Sequence, residues 1–421
     1  MKRQLYAEGC NLSVYAVERR GGYFVDLKPT MLQERIATLD ILRGISLLGI
    51  LLVNMYAFYL PMPYIDLGSW FTTPSDIVWQ QNLDIYVQSS FYPLFSILFG
   101  YGLAMQWQKA QSRQQNFYGI GLRRLSVLFM FGVVHAVLIW WGDILMMYAF
   151  CGVFLLLLLR LHPMWLLFIG IIINGIMHVF MLFVVGYINF NTKVDTYLNI
   201  TDVEKAITAY GTGSWMDAFM QRLADLSIQA NIGMWFAALF TILPYMLIGA
   251  AASKWHLVER TKELKWLWLA ITIVGLALGI FLKSMPIVFS RTYLLDYVKV
   301  YIGGPILSVG YIGLIVLLCL LPVVPKILSP FAKIGRMSLT MYILQSIIGT
   351  FVFYQFGLGW YGKVSIATGV LVAIGIIVVQ MIVAEIWLTK WKQGPLEALW
   401  RKITYKAKTE PSEKIARNTL N

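Results

Sequence analysis

Three positions in the first apolar stretch of the chain carry polar groups at helical spacing: Asp40, Arg43 and Asn54. At 100° per residue, Arg43 falls at about −60° and Asn54 at about −40° from Asp40, so all three share one face of a continuous helix. That face belongs inside the protein, because a polar side chain in hydrocarbon needs a partner. Asp40 and Arg43 are spaced for an i,i+3 ion pair at the membrane edge, and Asn54 follows about 16 Å further along the axis. A second polar face joins Arg124 to His135, about 20° apart in rotation and about 16 Å in height. An imidazole near the midplane can exchange a proton near neutral pH, and burial favours its neutral, basic form. Such a group suits general-base chemistry or proton relay, while in a purely packed bundle the same residues would supply an ion pair and interhelical hydrogen bonds.

Asp143 follows Trp140-Trp141-Gly142 with almost no loop, so the helices on either side are expected to form an antiparallel hairpin. Its carboxylate is expected to cap the free N–H groups of the second helix, and the tryptophan pair to anchor at the interface. Arg123 and Arg124, with Lys109 and Arg113, form a basic stretch that serves topology and also suits the phosphates of a cytosolic ligand. Ser338 is placed to cap the helix that carries Gln345, an amide that needs a partner. Gln380 and Glu385 are about 140° out of register and do not form one site, so Glu385 is expected to pair with Lys390 and Lys392. His178 shares a face with Asn174 and has no charge nearby, which marks it as structural.

The elements that hold these residues follow from composition. The 421 residues are 59% hydrophobic and 13% charged, with a mean hydropathy of +0.68. Apolar runs of about twenty residues are what roughly 30 Å of hydrocarbon demands, so the expected fold is an all-α polytopic transmembrane bundle. About ten spans are expected, near 44–60, 85–105, 122–141, 144–161, 163–188, 232–252, 266–283, 301–321, 338–356 and 364–388. An even number of crossings puts both termini on one side, and that side collects 27 of the 34 Lys and Arg residues. It is therefore cytoplasmic, and the net charge of +13 reflects topology rather than a nucleic-acid partner. The loop between the first two spans carries Asp66, Asp76 and Asp84 without any Lys or Arg, as suits an external loop.

Outside the spans, residues 1–30 are polar and lack the apolar core of a secretory signal. Glu18-Arg19-Arg20-Gly21-Gly22 is what a purine-rich ribosome-binding site encodes when translated, so the true start is expected near Val25 or Met31. The transmembrane domain then covers residues 31–406, followed by a basic cytoplasmic tail at 407–421, and the basic stretch after Gly394, with Trp400 and Tyr405 beside Arg401 and Lys402, is expected to attach to an anionic leaflet. The external segment 189–231 contains two helix starts, at Thr201 and Ser214, and is expected to fold as short amphipathic helices on the outer surface. Cys10, Cys151 and Cys319 lie far apart without CxxC or metal-ligand spacing, so neither a disulfide framework nor a metal is indicated.

The run from Arg35 through Asp40, Arg43 and Gly44 to Asn54, followed by Phe95-Ser96-Ile97-Leu98-Phe99-Gly100, resembles the bacterial YeiB/YrkO-type membrane family, a domain-of-unknown-function family numbered 418. The likeness continues through Arg123-Arg124-Leu125, His135, Trp141-Gly142-Asp143-Ile144-Leu145, Gly335-Arg336-Met337-Ser338-Leu339-Thr340-Met341-Tyr342 and Gly394-Pro395-Leu396-Glu397-Ala398-Leu399-Trp400-Arg401. It spans residues from about 32 to 406. The first-span pattern is also similar to that of a wider superfamily of membrane acyltransferases, which includes the lysosomal heparan-glucosaminide N-acetyltransferase and sugar O-acyltransferases.

That second resemblance implies transfer of an acyl group from cytosolic acyl-CoA to a small-molecule or cell-envelope acceptor across the plasma membrane. Asn54 matches the superfamily's first-span asparagine. No histidine lies in the loop after the first span, and Gln345 stands where some sugar acyltransferases have one, which leaves His135 as the available base. On this reading His135, Asn54 and Asp143 form the catalytic set, while Asp40, Arg43, Arg123, Arg124 and Gln345 bind substrate. No cofactor is expected to be resident, and acyl-CoA is the co-substrate. The competing expectation is a transporter or exporter of a small solute, with Asp40, His135 and Asp143 relaying protons.

Overall fold

The computed structural model describes residues 36–191 and 199–405, so the expected N-terminal extension, its start site and the tail at 407–421 lie outside the described residues. Among the described residues every regular element is helical. Helix α1 (Ala37–Tyr59) leads into the short α2 (Leu67–Trp70) and α3 (Pro74–Tyr86), then α4 (Phe91–Ser112), α5 (Tyr118–Leu138), α6 (Leu145–Leu158) and α7 (Pro163–Asn191). Helices α8 (Ile200–Gly211) and α9 (Trp215–Gln229) precede α10 (Ile232–Thr241) and α11 (Leu243–Lys254), which together make one crossing. Next come α12 (Lys265–Val288) and α13 (Tyr293–Val298), which runs through a π-helical turn into α14 (Gly304–Leu318). The short α15 (Val324–Ile327), α16 (Ser329–Arg336), α17 (Ser338–Phe353), α18 (Ile366–Lys390) and α19 (Pro395–Thr404) complete the described residues.

Seven of these crossings are long and apolar enough to span a membrane, or eight if α16 and α17, bent by 90°, count as one. The protein is thus a multi-pass helical membrane protein. The expected count of about ten is reduced for physical reasons. Residues 91–112 form a helix of 22 residues, but its polar Gln106, Gln108 and Lys109 lower its apolarity below that of the others. The run near 144–161 folds as only 14 residues, about 21 Å at 1.5 Å per residue. It is too short for roughly 30 Å of hydrocarbon because the turn before it is sunk into the protein.

That turn lies beneath α9. Ser214 caps α9 with the reciprocal box expected from sequence, whereas α8 is capped by Asn199 and not by Thr201. The amphipathicity of α9 is inverted: Gln221, Arg222 and Asp225 are buried, while Trp215, Met216 and Met220 are exposed. Asp225 accepts hydrogen bonds from the hydroxyls of Tyr64 and Tyr210, each 2.7 Å, and from Gln221 Nε2 at 2.9 Å. Burial nevertheless pushes its carboxyl above the usual range. Only two residues separate α9 from the lipid-facing α10, so its apolar outer side continues a membrane surface and its polar side roofs the interior. Trp140, expected at the interface, is one of the most deeply buried side chains because this roof covers it.

The acidic loop between α1 and α4 is also paired. Asp66 receives Arg291 at 2.9 Å, Arg291 reaches Asp296 at 2.7 Å, and Lys299 bridges Asp296 and Asp84 at 3.3 and 2.9 Å. Glu385 pairs with Lys333 across helices rather than with the lysines that follow it.

Candidate functional site

Helices α1 and α16 cross with their backbones in contact. A Cβ on Gly44 would lie 2.0 Å from the Phe331 carbonyl oxygen, and one on Gly335 would lie 1.9 Å from that of Asp40. Hydrogen alone fits at these two positions, and the crossing brings the adjacent Arg43 and Arg336 to one cavity of about 240 Å³. Arg124 from α5 and Arg401 from α19 complete a basic mouth that also contains Asp40 and Glu397. Arg43 and Asp40 form the expected i,i+3 pair at 2.8 Å. The Arg124 guanidinium stacks 3.6 Å above the Trp400 ring, whose Nε1 donates to the Arg124 carbonyl at 2.8 Å.

Glu397 closes the mouth from α19. Its carboxylate accepts from the N–H groups of Leu339 and Thr340 at 2.7 and 3.1 Å and from the Thr340 hydroxyl at 2.6 Å. It therefore caps α17, the task expected of Ser338, which makes no such bond. Burial pushes the Glu397 carboxyl above its usual range, partly offset by these donors.

Inward from the arginines the cavity becomes apolar, lined by Leu47, Ile50, Leu98, Leu128 and Leu145. Phe95 and Phe99 meet Tyr148 edge-on at 5.6 and 5.5 Å to form its floor. The Tyr148 hydroxyl is fixed by the Tyr92 carbonyl at 2.9 Å and by Ser96 Oγ at 2.8 Å.

Tyr342 and Ile144 also line this cavity, and they border a buried His135–Asp143 pair. Nδ1 of His135 lies 2.8 Å from Oδ2 of Asp143, with both side chains fully out of contact with solvent. The other oxygen of Asp143 accepts from the Met146 N–H at 2.9 Å, so the carboxylate caps α6 as expected and holds the imidazole at the same time. Three side chains clamp this turn from outside it. The Tyr342 hydroxyl donates to the Gly142 carbonyl at 3.2 Å and accepts from the Ile144 N–H at 3.4 Å. Gln229 donates to the Asp143 carbonyl at 3.1 Å, and Arg222 donates to the last carbonyls of α5, Val137 and Leu138, at 3.1 and 2.9 Å. Nε2 of His135 is buried without a hydrogen-bond partner, and in the tautomer that donates Nδ1–H to the carboxylate it carries the lone pair.

The other expected site residues are placed differently. His135 lies in the last turn of α5 rather than at its middle, and the Tyr342 ring, 5.1 Å from the imidazole, stands between it and the cavity wall. Asn54 is half-buried one turn beyond Ile50, on the cavity-facing side of α1, but does not line the cavity. The polar faces of α1 and α5 do not press together. Helix α1 packs on α4, α16, α17 and α18, and α5 packs on α6, α9 and α19. Trp140 fills the gap, its ring centroid 4.3 Å from that of Phe58 and 6.2 Å from that of His135. Gln345 spends its amide on Gln380 Oε1 at 3.0 Å and the Leu47 carbonyl at 3.4 Å, a structural pairing away from the cavity. Arg123 donates to the Thr404 carbonyl at 3.3 Å and also lies off the cavity. His178 meets the Tyr297 hydroxyl at 2.7 Å, and Asn174 meets that of Tyr245 at 3.2 Å.

Sequence reasoning assigned no role to Arg336, Tyr342 or Glu397, and gave Arg401 only attachment to a lipid surface. All four stand inside the sequence motifs that carry the family resemblance, and Arg336 adjoins Gly335 at the end of α16, which was the available signal.

A bundle of membrane-crossing helices that encloses an Asp–His pair behind an arginine-mouthed cavity defines a multi-pass membrane protein with an internal site. The chain belongs to the family described as "Protein of unknown function (DUF418)", which matches residues 252–407. It is 35% identical over 400 residues to the "Uncharacterized protein YxaH" of Bacillus subtilis (strain 168), covering 90% of this chain and 96% of that protein. The "Uncharacterized protein YeiB" of Escherichia coli (strain K12) is 28% identical over 402 residues, covering 91% and 100%. The "Uncharacterized 39.9 kDa protein in amylase 3'region" of Bacillus acidopullulyticus is 29% identical over 404 residues, covering 91% and 97%.

Proposed function

We propose that the protein is an acyltransferase of the bacterial plasma membrane, taking an acyl group from cytosolic acyl-CoA and passing it to a small-molecule or cell-envelope acceptor. The observation that carries this is the cavity, whose four-arginine mouth leads to an apolar interior lined in part by Tyr342 and Ile144, which also adjoin the His135–Asp143 pair. Guanidinium forks suit the phosphates of CoA. At about 240 Å³ the cavity is too small for a whole CoA, so the nucleotide remains at the mouth and the acyl end enters.

His135 Nε2 takes the proton of an acceptor hydroxyl or amine as that oxygen or nitrogen bonds to the thioester carbonyl carbon. The carbon–sulfur bond breaks, and the imidazolium, stabilised by Asp143, returns its proton to the departing thiolate. CoA leaves as the free thiol and the acceptor as its ester or amide. The carbonyl must pass the Tyr342 ring to reach Nε2, which makes Tyr342 the partition between donor and base. Asn54 is assigned no step. Purified protein given acyl-labelled CoA and envelope extract is expected to yield a labelled product that is lost in His135→Ala. Undiminished labelling by that variant overturns the assignment.

One feature favours a second reading, solute transport: the 90° break between α16 and α17 lies at the cavity wall, as discontinuous helices do in transporters. Solute uptake into proteoliposomes without any labelled product would select it.

A further inference from the structure

We infer that the donor's acyl group is a medium-length saturated chain rather than acetyl, seated between α1, α4, α5 and α6 with its end against the Phe95–Tyr148–Phe99 floor. The inference rests on the acyl-CoA reading above and specifies its substrate. Three observations carry it. The inner part of the cavity is lined by aliphatic and aromatic side chains, and the charged groups lie at the mouth. Its floor is fixed, because the Tyr148 hydroxyl is held by the Tyr92 carbonyl and Ser96 while both phenylalanines pack edge-on against its ring. Its depth is finite: along α1 the lining runs from Arg43 to Ile50, seven residues or about 10 Å, which takes an extended chain of roughly eight carbons.

An acetyl group would leave most of this apolar wall without a partner. A sixteen-carbon chain would need about twice the space and would have to displace the locked floor. Each methylene that enters the cavity should tighten binding about fourfold, until the floor is reached.

The test is competition by CoA thioesters of two, four, six, eight, twelve and sixteen carbons against labelled octanoyl-CoA, with the protein in nanodiscs and binding to empty nanodiscs subtracted. The expected result is an apparent Kd that falls about fourfold per methylene from acetyl to roughly octanoyl, then stops falling or rises. Phe99→Ala, which removes one of the three rings of the floor, is expected to move the stopping point to longer chains, and the wild-type series stands alone if that variant does not fold. Equal affinity along the series, or continued tightening to sixteen carbons, overturns the inference while leaving the acyl-CoA reading in place. No binding by any CoA thioester overturns both.

Discussion

His135 and Asp143 are eight residues apart and could not be paired by counting along a helix, because the helix ends between them. Asp143 as a helix cap was legible from its position after Gly142, and the Asp40–Arg43 pair was legible from i,i+3 spacing. What the spacing could not show is that the second oxygen of Asp143 reaches back over the turn to the imidazole. Asn54 was assigned the correct face of α1, but periodicity carries no information about how far along that face a cavity extends. The partners of Gln345 were hidden for another reason: Gln380 stands on a different helix, and only the tertiary packing of α17 on α18 brings the two together. At this scale the substitution Asp143→Asn is informative. An amide oxygen can still cap the Met146 N–H, but it no longer stabilises an imidazolium. Transfer is expected to fall by about 10²- to 10⁴-fold with donor affinity and thermal stability nearly unchanged. Steady-state labelling rates beside a donor-binding isotherm check this, and an equal loss in both would show a merely structural role.

Helix α19 is the element whose place the sequence misrepresented. Its Trp400 and basic residues suggested attachment to a lipid surface. Instead Trp400 lies beneath the Arg124 guanidinium, and Glu397 is plugged into the start of α17. Burial raises the folded carboxyl of Glu397, so the docked helix holds a proton more tightly than an undocked one. Docking is therefore strongest below the ordinary carboxyl range and weakens as pH rises through the raised folded value. Amide hydrogen exchange of residues 396–404, corrected for intrinsic rates, is expected to be slower at about pH 5 than at about pH 8. PH-independent protection contradicts this. Helix α9 shows the complementary misreading. Its caps and amphipathic pattern were visible, but which face turned inward depended on Tyr64, Tyr210 and the turn at 137–144 offering polar partners to Asp225 and Arg222.

For the whole molecule, the helical class and nearly all crossing positions followed from apolar run length, because a bilayer leaves so few alternatives. The count did not, since a helix enclosed by others, such as α4, can carry polar groups, and α6 need not cross the membrane fully by itself. The N-terminal ends of α1 and α5 and the C-terminal half of α4 meet at one cavity mouth through Arg43, Arg124 and Gln106, so α4 runs opposite to the other two. On the acyl-CoA reading that mouth faces the cytoplasm, the side expected from the sequence to collect most Lys and Arg residues, where acyl-CoA is available. The central claim is that this mouth and cavity receive the donor. A structure of the protein with a non-hydrolysable octanoyl-CoA thioether tests it most directly. The expected result is diphosphate density among Arg43, Arg124, Arg336 and Arg401, with the chain on the Phe95–Tyr148–Phe99 floor and the carbonyl-equivalent carbon beside Tyr342. Density for the ligand at any other place, or a cavity left without it at saturating concentration, would contradict the claim.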